Sequence, residues 1–307
     1  MSTASASAAL EQDAHSARLW SLPQPLAVLG SMLLVATAAA WGWADPGVVA
    51  GIVLLATLPV LLIAERLLPR RQDWALDRHD YLEDLFWIGT VFFIWAPIFN
   101  EFYDTPVSEA FVWVREASAL PALLDTDGVL GLMSAAFAAA FISEFIYYWL
   151  HRLQHETLLF WRIHGTHHHV TRMGVARADR THPLELLALN LGPAITLALL
   201  GANEHVVALF FVFRFVSGHV NHANLPLRSG LWGTVFTTAE WHQLHHSLER
   251  SESDSNYGCS IILFDRLFGT FNGNAHVARI GNGSGRPLSL KDQFMLPFRS
   301  NSALKAL

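Results

Sequence analysis

A succession of apolar runs, each long enough to cross a bilayer, restricts this chain more than any other feature. Residues 24–44 and 48–65 each suit the roughly 30 Å of hydrocarbon that about 20 helical residues span, and Asp45-Pro46-Gly47 between them is a turn. In hydrocarbon every backbone N–H and C=O must be paired within its own segment, so such runs fold as helices. Further runs at about 85–100 and 129–150 predict a third and a fourth span. The chain therefore reads as an all-α, integral-membrane helical bundle. With 52% hydrophobic and 15% charged residues, the composition agrees with that class.

Charge placement suggests how the bundle is oriented. Arg66, Arg70, Arg71 and Arg78 follow the first hairpin and by the positive-inside rule belong in the cytoplasm, together with the N-terminus. The segment 101–128 carries Glu101, Asp104, Glu109, Glu116, Asp125 and Asp127 against one cation, Arg115, and is expected to be a loop on the opposite side. Shorter apolar runs at about 185–200 and 204–220, joined by Gly201-Ala202-Asn203-Glu204, predict a tight or re-entrant hairpin whose two ends face the cytoplasm. Residues 1–22, rich in Ala and Ser, read as a disordered tail without the features of a signal peptide. A bacterial inner membrane is the expected location. The net charge of −6 and the absence of a basic block exclude a nucleic-acid partner.

Sixteen histidines in such a chain need an explanation, because an imidazole in hydrocarbon loses its hydration and gains nothing without a partner. They gather in three clusters: His151-Arg-Leu-Gln-His155, His164-Gly-Thr-His167-His168 and His242-Gln-Leu-His245-His246. Spacings of three and four place the members of each cluster on one helical face, with His169 rotated away. His15, His79, His205 and His276 stand alone and read as ordinary polar or core residues. A continuous helix would set His155 and His164 about half a turn apart, so a break is expected between 156 and 162. Imidazole suits Fe, Zn, Cu and Ni alike. Eight converging histidines exceed what one tetrahedral zinc requires, which favours two metals; neighbouring carboxylates such as Glu144 and Glu185 would help to balance their charge. The single cysteine, Cys259, excludes a multi-cysteine metal site and reads as a buried small residue.

These ordered clusters, with Glu144, Tyr148 and Trp149 before the first, resemble the fatty acid hydroxylase and sterol desaturase family over about 140–271. Supporting pieces are Arg180-Thr181-His182-Pro183-Leu184-Glu185, Asn221-His222-Ala223-Asn224, Asp254-Ser255-Asn256-Tyr257-Gly258 and Asp265-Arg266-Leu267-Phe268-Gly269-Thr270-Phe271. Phe264 departs from the tryptophan found in many relatives. Asn256-Tyr257-Gly258 and Asp265-Arg266 read as a turn and an ion pair that fasten a cap near the metals.

The resemblance implies a helical membrane enzyme whose cytoplasmic, histidine-rich cap holds a di-metal site of two Fe ions. It implies O2 as co-substrate and a hydroxylated or desaturated lipid as product: a sterol, fatty acyl chain, ether lipid or aminolipid. Its implied ligands are His151, His155, His164, His167, His168, His222, His242, His245 and His246. His219, one turn before His222, is a candidate to share its role, and His182 is left out. The implied organisation is a tail over 1–22, transmembrane helices over 23–128, a catalytic domain over 129–275 and a C-terminal tail over 276–307. An external electron donor, namely a ferredoxin, cytochrome or reductase, is expected because the chain has no nucleotide fingerprint or cysteine cluster. Arg214, inside the last apolar run, is a candidate for an anionic headgroup or for snorkelling to the interface. Two competing readings are a metal transporter or sensor, which would distribute histidines through the depth of the spans, and a zinc-dependent hydrolase, which usually shows H-E-x-x-H.

Overall fold

The structure is a computed structural model that describes residues 16–306. Among these residues four helices are long and apolar enough to cross a membrane. The first starts at Ser16, with α1 (Pro23–Trp41) as its main part; α2 is Pro46–Leu67, α3 is Arg78–Ala117 and α4 is Gly128–Glu156. The protein is thus an all-helical integral-membrane protein. Gly42, in the left-handed conformation at φ 63°, ends α1, and Asp45 caps α2 by accepting from Val48 N at 2.8 Å, with Pro46 pre-set in the first turn. Leu55, Phe93, Phe102 and Leu130 are each about four-fifths exposed, as expected for side chains that face acyl tails.

Two expectations change at the bundle's edges. The tail expected over 1–22 is helical at 16–20, and Trp20 O accepts from Arg228 N at 2.9 Å; its earlier part lies outside the described residues. The loop expected over 101–128 is helical as far as Ala117, because α3 continues through two segments in which the backbone widens. There Ala96 N reaches Val91 O and Thr105 N reaches Asn100 O, five residues back. Pro97 and Pro106 follow directly. Proline lacks an N–H and crowds the carbonyl four residues earlier, and the wider turns absorb that conflict without ending the helix.

α4 stops at Glu156, and α5 (Leu158–His168) starts afresh after Thr157. Thr157 is extended, at φ −127° and ψ 133°, and its hydroxyl accepts from Phe160 N. The break expected between His155 and His164 therefore falls at a capping residue.

The shorter runs form α6 (Leu186–Leu199) and α7 (Glu204–His222), a hairpin reaching through the bundle. Its turn meets the segment after α3, where Leu124 N donates to Leu200 O and Asn203 bonds Asp125 and Thr126. α7 packs against α1, α2 and α4 and buries Leu209, Phe210, Phe213 and Val216. Both ends of the hairpin return to the histidine-bearing end of the bundle.

A cap is tied to that end by polar contacts. Glu65 Oε2 accepts from Val175 N and Asn224 N, and Arg180 pairs with Glu83 and Asp84 at 2.7 and 2.9 Å. The C-terminal segment belongs to the cap: Gln293 in the short helix Leu290–Met295 is fully buried, accepts from Trp87 Nε1 and donates to Glu83.

Close approach of α6 to α4 depends on Gly192, where an added Cβ would stand 2.6 Å from Ser143 O. Gly192→Ala is expected to destabilise the protein by about 1–3 kcal/mol through overpacking. Thermal unfolding in detergent, with a lowered midpoint, checks this.

Candidate metal centre

Each histidine cluster is set in place by a separate helical element. α4 carries His151 and His155 one turn apart; α5 carries His164, His167 and His168; His222 ends α7; and α8 (Ala239–His245) carries His242 and His245, with His246 next. Their ring nitrogens form two groups. His151, His155, His164, His168 and His245 make one, and His167, His222, His242 and His246 make the other, the ligand-type atoms within each lying within 4.8 Å of one another. All nine residues expected at the site are thus brought together. His169 bonds Gly165 O instead, His182 accepts from Leu184 N, and His219 pairs with Asp179 Oδ2 at 3.0 Å; none of the three enters either group.

Hydrogen bonding fixes which nitrogen of several rings faces inward. A carbonyl oxygen only accepts, so His151 Nδ1 donates to Tyr257 O at 2.6 Å and His245 Nδ1 to Ser255 O at 2.7 Å. In the same way His167 Nδ1 donates to Arg180 O at 3.2 Å and His222 Nδ1 to Gly218 O at 2.7 Å. In the neutral ring the remaining nitrogen, Nε2, then carries a lone pair and no proton. Yet His245 Nε2 and His151 Nε2 are 3.1 Å apart, and His222 Nε2 and His167 Nε2 are 3.2 Å apart. Lone pair faces lone pair.

Such contacts repel unless a cation lies between them. Imidazole nitrogens bind zinc at about 2.0–2.1 Å, so right-angled ligands at that distance would be about 2.9 Å apart and tetrahedral ones about 3.4 Å. The closest Nε2 pairs in the two groups lie 2.9–3.2 Å apart. His155 Nε2 is buried without a hydrogen-bond partner. The donor set fits metal ions.

The surroundings adjust charge and access. Glu185 Oε1 lies 3.2 Å from His164 Nδ1, and its carboxylate accepts from Tyr147 OH and Gln154 Nε2. Asp254 Oδ1 stands 3.6 Å from His155 Nδ1. Glu144, also expected near the metals, accepts from Ser260 N instead. The turn at 256–258 forms as expected, with Asn256 left-handed at φ 54°. The ion pair expected within Asp265-Arg266 does not: Asp265 accepts from Tyr257 N, Gly258 N and Thr270 Oγ1, whereas Arg266 donates to Gly233 O and stacks on Phe271. Asp265 thereby holds the turn that offers Tyr257 O to His151, and burial lifts its carboxyl to about 6. Phe264 packs against Phe141, Phe145 and Tyr148. Cys259 is half-buried and 3.9 Å from His151 Nδ1, closer to the site than its expected role as a packed small residue.

A cavity of about 140 Å³ adjoins the histidines, lined by Tyr147, Glu185, Arg214, Asn221, Cys259 and others. It shares Ala178, Thr181, Leu189, Arg214 and Gly218 with a second cavity of about 1000 Å³. The larger space lies between α3, α6 and α7 and is mostly apolar. Tyr147 and Gln154 escaped the sequence reading. A signal existed for Tyr147, since 147, 151 and 155 are successive fours on one helical face.

The fold and site define a class: a helical integral-membrane protein with a histidine-built metal centre beside an apolar cavity. The chain belongs to the fatty acid hydroxylase/sterol desaturase family. The family model for fatty acid hydroxylase matches residues 136–270. An ornithine lipid hydroxylase of Rhizobium tropici is 32% identical over 245 residues, covering 72% of this chain and 66% of that protein. An alkylglycerol monooxygenase of Caenorhabditis elegans is 30% identical over 138 residues, 44% of this chain and 26% of the relative. For a methylsterol monooxygenase of Arabidopsis thaliana the identity is 29% over 147 residues, 43% and 53% of the two chains. The chain thus spans between about a quarter and two thirds of these relatives' lengths. No solved structure gives a significant match.

Burial holds the imidazoles of His164, His168, His242, His245 and His246 well below their ordinary range, and neighbouring imidazoles add to the effect. In the unfolded chain each takes up a proton near pH 6.5; in the fold it does so only at lower pH. The unfolded state therefore binds more protons as pH falls below about 6.5, and stability is lost there. Chelator-treated protein in detergent is expected to melt several degrees lower at about pH 5.5 than at about pH 7.5. An unchanged midpoint would contradict buried neutral rings.

Proposed function

We propose that this protein is an O2-dependent di-iron oxygenase that hydroxylates a C–H bond of a membrane amphiphile. The observation that carries this reading is the pair of inward-facing histidine groups beside a small cavity that adjoins a long, mostly apolar one. The proposed ligands are His151, His155, His164, His168 and His245 for one iron, and His167, His222, His242 and His246 for the other. A five-membered nitrogen set with near-right-angle spacing exceeds the four tetrahedral ligands of structural zinc, which favours iron. The catalytic unit is taken as residues 129–275.

Two irons would supply, through dioxygen, an oxidising power that no side chain possesses. The protein's own groups do the rest. Backbone carbonyls of Tyr257, Ser255, Arg180 and Gly218 hold the imidazoles in one tautomer and orientation. Tyr147 keeps a proton on its hydroxyl, 3.3 Å from Glu185 Oε1, at the wall of the small cavity. That cavity admits little more than the reacting portion of a substrate and so limits water beside it. Overall, one oxygen atom enters the C–H bond and the other leaves as water, with two electrons and two protons from a separate ferredoxin, cytochrome or reductase.

The larger cavity suits an acyl chain entering from the bilayer. Ornithine lipid, alkylglycerol and methylsterol, named for the relatives, all pair a polar end with an apolar body, and ornithine lipid is the first to test. Arg66, Arg70, Arg71 and Arg78 favour a cytoplasmic histidine end, and the ornithine lipid hydroxylase relative is bacterial, which favours the inner membrane.

Purified protein is expected to carry about two irons per chain and to add one oxygen atom, O2-dependently, to a component of a lipid extract. A zinc protein indifferent to anaerobiosis overturns the reading. His245→Ala is expected to lower metal content and cut turnover by at least about 100-fold, whereas His276→Ala leaves both nearly intact. Equal effects of the two substitutions would mean that the ligand set is misassigned.

A further inference from the structure

A cation stands where the two cavities adjoin. Arg214 lines both the small histidine-side space and the large apolar one. Its guanidinium makes one protein hydrogen bond, Nη1 to Leu189 O at 3.2 Å, and lies 5.7 Å from the Phe210 ring. Arginine offers five N–H donors in a rigid fork, so most of them have no protein partner while the side chain lines both cavities. Among the described residues no carboxylate reaches ion-pair distance of it; Glu144 is near enough to act on it electrostatically, but its carboxylate is engaged by Ser260 N. Glu144 balances the buried charge at longer range and leaves the donors free. Among the described residues the arginine closes no salt bridge.

The two cavities also differ in size. Both have mainly apolar walls, with Tyr147, Glu185, Asn221 and Ser260 in the small one and Asp104, Glu109 and Glu116 of α3 in the large one, but at about 1000 Å³ against about 140 Å³ only the large one has room for a long chain. On α7 the wall of the large cavity runs from His219 to Val207, about 18 Å at 1.5 Å per residue. An amphiphile whose chain lies along this wall brings its polar end to Arg214, where the two cavities meet.

We propose that Arg214 is the substrate-orienting residue, donating to an anionic oxygen at the amphiphile's polar end, so that oxidation falls on carbons within a few bonds of that end. A carboxylate and a phosphate share the required chemistry, since both accept the guanidinium fork. The site of oxidation follows from the oxygenase reading of the centre, whereas the anchoring itself is a matter of binding.

The test therefore reads binding first. A long-chain saturated carboxylate, the alkyl phosphate and the neutral alcohol of equal chain length are titrated into full-length protein in nanodiscs of neutral phospholipid. Arg214→Leu is expected to raise Kd for the two acidic probes by about 10- to 100-fold, the range for a lost charge-assisted hydrogen bond, and for the alcohol by less than about threefold. Arg214→Lys, which keeps the charge but not the fork, is expected to recover only part of the loss. With paramagnetic cobalt(II) in the histidine centre of the unsubstituted protein, proton relaxation of the bound carboxylate is expected to be fastest in the methylenes beside the polar end. Equal Kd shifts for acidic and neutral probes, or fastest relaxation at the terminal methyl, would overturn the proposal. The relaxation arm holds even if the substituted proteins fold poorly. Preserved binding and orientation, with no oxygen added to any amphiphile, would count against the oxygenase reading and leave the anchor standing.

Discussion

Imidazole lone pairs turned toward one another, away from water, set the main constraint on this structure. Two bare Nε2 atoms about 3 Å apart repel, and three helices plus the end of α7 converge to hold them so. Positive charge between the nitrogens relieves that repulsion. Much of the cap answers this need. Its carbonyls orient the rings, its carboxylates sit one shell further out, and its backbone turns are held by Asp265 and Glu65. Burial that would penalise charged imidazole also keeps the rings in the neutral form that binds metal.

The membrane bundle supplies what the cap lacks. α4 breaks at Thr157 because a capping hydroxyl and an extended backbone redirect the chain, and that redirection lets His155 and His164 share one group. The hairpin of α6 and α7 starts and ends at the histidines, so one element both builds the apolar cavity and delivers His222 to the centre. The widened turns around Pro97 and Pro106 let α3 continue along the other side of that cavity. The apolar cavity and the histidine centre therefore share α7, and Arg214 lines the cavities on both sides.

Gathering all nine histidines at one end of the bundle bears on the competing readings. A transport path would need polar sites at several depths, whereas here the deep part of the hairpin is packed with Leu209, Phe210 and Phe213. The buried ion pairs of Arg180 with Glu83 and Asp84 have a different role. They fasten the cap to the start of α3, and the backbone carbonyl of Arg180 orients His167. One residue thus links cap attachment to ring orientation.

Much of this was legible in the residues taken alone. Apolar run length determined the four spans, because hydrocarbon tolerates only internally paired backbone, and spacings of three and four determined which histidines share a face. The need for a break before His164 followed from the same geometry. Other features were invisible for definite reasons. The carbonyls of Tyr257, Ser255 and Gly218 orient rings, but a backbone oxygen leaves no mark in the residue types. Asp265 next to Arg266 looked like an ion pair, yet adjacent side chains diverge, and the carboxylate is satisfied by amides of the turn. The division of the histidines into five and four, and the cavities beside them, belong to tertiary structure. The first depends on how α4, α5, α7 and α8 pack and the second on α3, α6 and α7, and packing of the histidine elements brings together residues that the chain keeps about ninety positions apart.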